Sequence, residues 1–390
     1  MNAQAQVSAA NKDKEAFAAI REASHQEQLV FAARKSGRSV LSIQRDFMRL
    51  SRQSTKINMT EYLLHGLFYT DRYTEEERLT FIGNNVHWPI THACNDPSWQ
   101  ASTEDKVIAD TILKAGGVAV PASLAVIDRT QRLYPQLKQI SSADHLRAFC
   151  VEHAENGIFG KIIDGMIGFG ALRIDAADED GLQCFGHNKM SYDDFLENVV
   201  GDNKYLLQRR LFNHDKIAPF ATALATVRMV NLVDDANVTV PVAAMALSQG
   251  NNIADAFWRD DNIACAIDVP TGRLTTVAQR NLHEIEYLDD HPSVPGLKGL
   301  VLPYWDELCD MNARAARLFT PIRYQSTDIA ITNDGPVIVE INYGSGFGLP
   351  QQAAGRGMLT PEVRAFFEAN GWSFDGRSKN KRSFFGRKKG

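Results

Sequence analysis

Thr327-Asp-Ile-Ala-Ile-Thr-Asn-Asp-Gly-Pro-Val-Ile-Val-Glu-Ile-Asn342 is the stretch on which the reading of this 390-residue chain turns. Two β-prone runs flank Asn333-Asp334-Gly335, three residues that suit a hairpin loop made of a type I turn closed by Gly335 in the left-handed region. Such a loop sets a register in which Thr332 faces Pro336 and Asp328 faces Glu340. Side chains alternate across a strand, so Ile329, Ile331, Val337, Val339 and Ile341 are expected on an apolar face against the core. Asp328, Glu340 and Asn342 then share the other face. Two carboxylates and an amide oxygen form a hard, oxygen-only donor set, which suits Mg²⁺ when waters and phosphate oxygens complete its shell. A two-residue loop would turn Asp328 to the opposite face and undo the site. Hairpins with a merely polar, solvated face are common, so the metal reading needs support from the rest of the chain.

That support lies upstream. Ile158-Phe-Gly-Lys161-Ile-Ile-Asp-Gly165-Met-Ile-Gly168-Phe-Gly170 places a lysine on an expected strand just before a glycine-rich loop. Glycines let backbone N–H groups approach a triphosphate, and the lysine adds positive charge aimed at phosphate oxygens. It is not a Walker A loop, because the lysine precedes the glycines and no Gly-Lys-Ser/Thr follows. Asp105-Lys106 opens a helix and offers a second phosphate-binding lysine, with an ordinary solvated lysine as the plain alternative. Tyr205-Leu-Leu-Gln208-Arg-Arg-Leu211 reads as a strand ending in polar groups, either an adenine-binding edge or a simple strand end. Arg228 interrupts the apolar strand Thr226–Val233 and needs an anionic partner, a phosphate or a structural carboxylate. Both readings stand open at this level.

Expected strands at 157–163, 170–174, 205–211, 226–233 and 264–268 alternate with helices at 104–115 and 306–318. Hairpin chemistry recurs at Asp178-Glu-Asp-Gly181 and Pro270-Thr-Gly272. Adjacent hairpins beside helices indicate an α+β fold rather than a doubly wound parallel sheet. The first hundred residues read as a helical scaffold, with Thr74 and Glu77 forming a capping box. His65 and His92, in aromatic neighbourhoods, read as core residues rather than catalytic ones. The expected organisation is a helical region at 1–100, α+β subdomains at 101–212 and 213–374, and a basic tail at 375–390.

Composition bounds the function. With 44% hydrophobic and 23% charged residues, the chain is ordinary for a globular protein. No run approaches the roughly 18 apolar residues of a membrane-spanning helix. The opening MNAQAQVSAANKDKEAF lacks an apolar signal core, and the five cysteines show no Cys-x-x-Cys pair, so reduced thiols and a cytoplasmic location are expected. The net charge is −5, but Arg377–Gly390 holds seven Lys or Arg and no acid, leaving −12 on the remainder. An acidic body argues against nucleic acid as the main partner. The tail is read either as a solvated end or as a weak contact for an anionic surface.

Taken in order, the Asp-Lys helix, the strand lysine with its glycine loop, the polar-ended strand, the Thr-Val-Arg strand and the Asp…Glu-x-Asn hairpin resemble the ATP-grasp superfamily. The likeness is closest to the sugar-transfer associated ATP-grasp family. RDFMRL beginning at Arg45, TEYLLHGLFYTDRYTEEERLTFIG ending at Gly83, His291-Pro through Pro303-Tyr-Trp305, and Gln351 add to it. The resemblance implies ATP held between two α+β subdomains, Lys106 and Lys161 on phosphates, the Gly165–Gly170 loop as a lid, and Mg²⁺ on Asp328, Glu340 and Asn342. Ser326 stands where ligases of this superfamily often carry an arginine, so Arg228 or Arg323 is implied as the catalytic cation. Gln208 stands where many relatives have an acid beside the adenine. The implied activity is an ATP-dependent ligase that joins a small-molecule carboxylate to an amine through an acyl phosphate. The alternatives are a phosphotransferase acting on a hydroxyl or sugar, and a nucleotide-binding protein without turnover.

Overall fold

Two sheets, each mainly antiparallel, carry the fold of the computed structural model, which describes residues 8–19, 24–165, 168–257, 259, 261–281 and 283–374. The basic tail, with Met166 and Ile167 of the glycine-rich loop, lies outside the described residues. Among those described, no helix is long and apolar enough to cross a membrane.

Helices dominate the N-terminal region: α1 (Ala9–Ala19), α2 (His25–Ser36), α3 (Val40–Ser51), α4 (Met59–Leu64), α5 (Glu75–Leu79) and α6 (His87–Cys94). Capping boxes start three of them, Ser24/Glu27, Asn58/Glu61 and the expected Thr74/Glu77. Each box satisfies backbone N–H groups that a helix start leaves without partners. His65 is buried beside Phe81, and burial lowers its pKa to about 3, so it is a neutral core residue. His92 departs from expectation: it is exposed and stacks on Trp88.

After the short α7 (Ala101–Glu104) comes α8 (Lys106–Ala115), then the first sheet. Its strands are β1 (Ser123–Ile127), β2 (Lys138–Ile140), β3 (Ile158–Ile162), β4 (Leu172–Asp178), β5 (Gly181–Cys184) and β6 (Tyr205–Arg209), in the order β2-β1-β6-β3-β4-β5. Only the β1–β2 pairing is parallel. Alternation sorts the residues. Ile158, Ile162, Leu172, Ile174, Tyr205 and Leu207 face back onto α9 (Ala143–His153) and the helical segment 195–200. Phe159, Lys161 and Gln208 are left for the front. The short α10 (Tyr192–Asp194) precedes that segment.

The second sheet has β7 (Thr226–Val233), β8 (Val238–Leu247), β9 (Ile263–Asp268), β10 (Arg273–Leu274), β11 (Ala278–Arg280), β12 (Ile285–Tyr287), β13 (Tyr324–Thr332) and β14 (Gly335–Asn342). The order is β12-β11-β9-β8-β7-β13-β14, with β10 paired to β9. One face packs on α8 and α11 (Trp305–Leu318) through Val227, Met229, Ile329, Leu113, Leu308 and Met311. The other face is covered at one end by α6, α12 (Gly348–Ala354) and α13 (Pro361–Ala369), and opens at the other end toward the first sheet. The sequence reading missed β8, which contains Pro241. The β7–β8 register shifts between Val230 and Leu232, so the proline falls in a bulge, where a strand tolerates the missing N–H.

The hairpin departs from expectation twice, and the two departures cancel. Thr332 pairs with Gly335 rather than Pro336, so the loop is the two residues Asn333-Asp334, with Gly335 at φ 116°. The Thr332 hydroxyl closes the turn, accepting from the Asp334 N–H at 3.2 Å and donating to the Gly335 carbonyl at 2.9 Å. Further along, Ile329 faces Ile338 while Asp328 faces Glu340, so Val339 is the extra residue of a β-bulge. The shorter loop moves the register by one residue and the bulge moves it back. Asp328 and Glu340 therefore stay opposite each other. Between loop and bulge the faces are exchanged: Ile338 is buried, whereas Val337 and Val339 are only partly so. Ile329, Ile331 and Ile341 lie in the core as expected.

Candidate nucleotide and metal site

The open end of the second sheet faces the front of the first across a cleft lined by Lys106, Phe159, Lys161, Gln208, Asp328 and Glu340, among others. Each wall is set by local rules. Asp105 caps α8, its side chain accepting from the N–H groups of Val107 and Ile108, which fixes the backbone on which Lys106 is carried. The Lys106 ammonium donates to the Gly165 carbonyl at 2.6 Å and pairs with Glu340 at 3.1 Å. Lys161, on the front face of β3, donates to the Val339 carbonyl at 3.0 Å. The bulge thus does two things: it restores the Asp328–Glu340 pairing, and the backbone of its extra residue receives the second lysine.

On the opposite wall, Arg228 and Asp328 are direct cross-strand partners on β7 and β13. Their contact is bidentate, Nε to Oδ1 at 2.8 Å and Nη2 to Oδ2 at 2.7 Å, the strong arrangement for a planar guanidinium. Ala244 and Ala266 continue the row across β8 and β9, small residues that leave room beside the arginine. Asn342 donates its amide to Asp328 at 3.3 Å. All three expected donors, Asp328, Glu340 and Asn342, therefore lie on one face.

Electrostatics follow from this packing. Burial alone would depress the Arg228 pKa, but the charge and hydrogen bonds of Asp328 more than offset it and hold the value above the usual range. Burial lowers the Lys161 pKa, with Glu340 acting against that trend. Burial would raise the Glu340 pKa, yet Lys106 and Lys161 hold it below the usual carboxylate range. Glu340 is thus kept ionised. Among the described residues no three His, Cys, Asp or Glu gather as a metal site; the polar side chain beside the two carboxylates is the Asn342 amide. Two hard carboxylates and an amide, 32% exposed at Glu340, fit a cation such as Mg²⁺ that shares its shell with phosphate.

The remaining expected residues divide. Gly165 supplies a carbonyl to Lys106, and Gly168 and Gly170 adopt φ 70° and 67°, values that suit glycine. Gln208 lines the cleft but is turned toward β1, its amide donating to the Ser123 hydroxyl at 3.2 Å. The carboxylate reading of Arg228 is the one the structure adopts. Arg323 is not brought to the cleft: it lies five residues before Asp328 and pairs with Asp235 at 2.6 Å in the turn after β7. Ser326 donates to the Gly344 carbonyl at 3.2 Å.

One residue escaped the sequence reading. Asp255, on the loop between β8 and β9, lines the cleft and accepts a hydrogen bond from the Thr226 hydroxyl. Burial, reinforced by the like charge of Asp328, pushes its carboxyl up to about 6. Nothing in Asn251-Asn-Ile-Ala-Asp255 marks it locally; only the sheet end beneath it does.

The profile of a family described as sugar-transfer associated ATP-grasp matches residues 89–366, well over half of the chain. Solved structures with similar coordinates include an ADP complex of N5-carboxyaminoimidazole ribonucleotide synthetase, at 9% identity and TM-score 0.37, covering 63% of this chain and 46% of that one. D-alanine–D-alanine ligase from Bacillus anthracis aligns at 13% identity and TM-score 0.35, covering 69% and 67%. Biotin carboxylase from Campylobacter jejuni aligns at 10% identity and TM-score 0.38, covering 70% and 47%. The chain thus spans about half the length of the synthetase and of the carboxylase. A search of curated proteins found no match.

Proposed function

This chain belongs to the sugar-transfer associated ATP-grasp family, and we propose that it is an ATP-dependent ligase joining a carboxylate to an amine through an acyl phosphate. Membership by itself implies ATP-dependent activity on small molecules. The observation that carries the finer reading is the cleft itself: Lys106 and Lys161 on one wall meet Glu340 and Asp328 on the other.

A carboxylate is a poor electrophile because its charge repels nucleophiles and oxide is a bad leaving group. Transfer of the γ-phosphoryl group to one of its oxygens gives an acyl phosphate and ADP; amine attack at the carbonyl then forms the amide and expels phosphate. Most of the protein's work in such transfers is positioning and charge neutralisation. In this proposal Lys106 and Lys161 exchange their protein acceptors for phosphate oxygens, and Phe159 and Gln208 flank the adenine. Mg²⁺ held by Asp328, Glu340 and Asn342 would neutralise charge on the transferring phosphoryl group. Arg228, fixed by Asp328, supplies the permanent cation beside the reacting centre. Asp255 receives the proton that the attacking amine sheds, a role that suits a carboxyl poised near neutrality. The Gly168–Gly170 turn shields the acyl phosphate from water.

The test is ADP and phosphate release over a panel of carboxylates combined with amines. A ligase releases both products in an amine-dependent way. ADP without phosphate, with phosphate found on a hydroxyl, would replace this reading by a phosphotransferase. No nucleotide turnover with any pair would leave a binding protein.

A further inference from the structure

The carboxylate of Asp13, on α1, touches both walls of the cleft. One oxygen accepts the Gly170 N–H at 2.9 Å; the other pairs with Arg259 at 3.0 Å. Gly170 ends the glycine-rich turn of the first wall, and Arg259 lies four residues beyond Asp255 on the second. Phe17, one helical turn along from Asp13, meets Phe169 edge-on with ring centroids 5.6 Å apart. Ala10 is buried against the first sheet's core, and a Cβ built on Gly170 would stand 3.2 Å from it. A Cβ on Gly168 would stand 3.6 Å from Ala254 and 3.9 Å from Ala256, the two neighbours of Asp255. The Gly168–Gly170 turn therefore sits between α1 and the loop that carries Asp255.

We propose that α1 is a latch on the nucleotide cleft, with Asp13 the positioning residue that holds the Gly168–Gly170 turn against the second wall. The inference rests on the nucleotide reading above. α1 lies outside residues 89–366, the stretch that matches the family profile. The Asp13 and Arg259 side chains are only 19% and 15% exposed, so solvent screens their pairing less than it would a surface bridge. Gly168 and Phe169 line the cleft, so a nucleotide bound there lies behind them. To leave, it must displace the turn, which the Asp13 contacts help to hold in place. Asp13 thereby controls release without touching the nucleotide.

The experiment follows displacement of N-methylanthraniloyl-ADP, bound with Mg²⁺ to the full chain, by excess unlabelled ADP in stopped flow. Asp13→Ala should release the probe about tenfold faster or more, the scale of a lost charge-assisted contact. Asp13→Asn keeps an acceptor for Gly170 but loses the ion pair, and should fall between. Arg259→Gln combined with Asp13→Asn should add little to either alone, because both remove one pairing. Hydrogen exchange at the Gly170 amide should speed up in Asp13→Ala, a readout independent of nucleotide. Phe17→Ala, altering a side chain 42% exposed, should accelerate release by a smaller factor and decides the matter if Asp13→Ala does not fold. Release within twofold of the unmodified chain in Asp13→Asn and Phe17→Ala overturns the latch and leaves the nucleotide reading intact. Failure of the unmodified chain to bind the probe overturns both.

Discussion

The two walls of the cleft carry opposite charge and satisfy it differently. On the second sheet, Asp328 is neutralised within its own wall by Arg228, its cross-strand partner. Glu340, one strand over, is held ionised chiefly by Lys106 and Lys161 from the opposite wall, with a smaller contribution from Arg228. A buried charge needs a partner wherever it finds one. The difference therefore separates a fixed pair that organises the site from a pair that spans the opening and can be exchanged for a ligand. Asp255 marks the third case, an acid whose carboxyl is pushed up rather than held down.

Glu340→Gln attacks the exchangeable pair directly and should give the largest effect. Metal-dependent ATP turnover is expected to fall about a hundredfold or more while circular dichroism stays unchanged. Undiminished turnover would reduce the Lys106–Glu340 bridge to a structural contact. Lys161→Met removes the cation on the facing wall, and ATP affinity by calorimetry should weaken roughly tenfold to a hundredfold. If affinity is unmoved, the first wall does not hold phosphate.

Gly335→Val tests the turn that sets the acidic wall. At φ 116° a branched side chain is strained, and a loss of about 1–2 kcal/mol is expected in thermal or urea unfolding. A neutral result would show that the two-residue loop tolerates a Cβ. The smallest effect belongs to Asp255→Asn, and it depends on pH. Because the folded carboxyl is raised to about 6 from an unfolded value near 4, its contribution is favourable at low pH and lost as pH rises through 6. Glu340, held low, behaves oppositely and loses its contribution on acidification. The variant should therefore match the unmodified chain near pH 4 and exceed its stability at pH 7.5 by on the order of 1 kcal/mol. Parallel stability curves across that range would remove Asp255 from the like-charge environment assigned to it.

Particular residues show where sequence reading ends. β7 was legible to the residue because β-formers dominate from Thr226 to Val233, interrupted only by Arg228 and Asn231. β8 was not, because Pro241 reads as a strand breaker until a bulge accommodates it. The facing of Asp328 and Glu340 was foreseen through a three-residue loop that does not exist. A two-residue loop and the Val339 bulge reach the same register, and no residue type in Val337-Ile-Val-Glu340 announces the bulge. Between Arg228 and Arg323 the sequence offered no choice; sheet order made it, placing one opposite Asp328 and the other beside Asp235.

The sequence by itself determined what local physics controls: which residues favour strands and helices, where caps begin, and which polar side chains share the β14 face. These follow from alternation, turn chemistry and capping, all settled within a few residues. The tertiary structure decided which charges meet. Arg228 reaches Asp328 across 100 positions and Lys161 reaches Val339 across 178. Such pairings arise only when two sheets pack around separate cores and leave their polar ends facing each other.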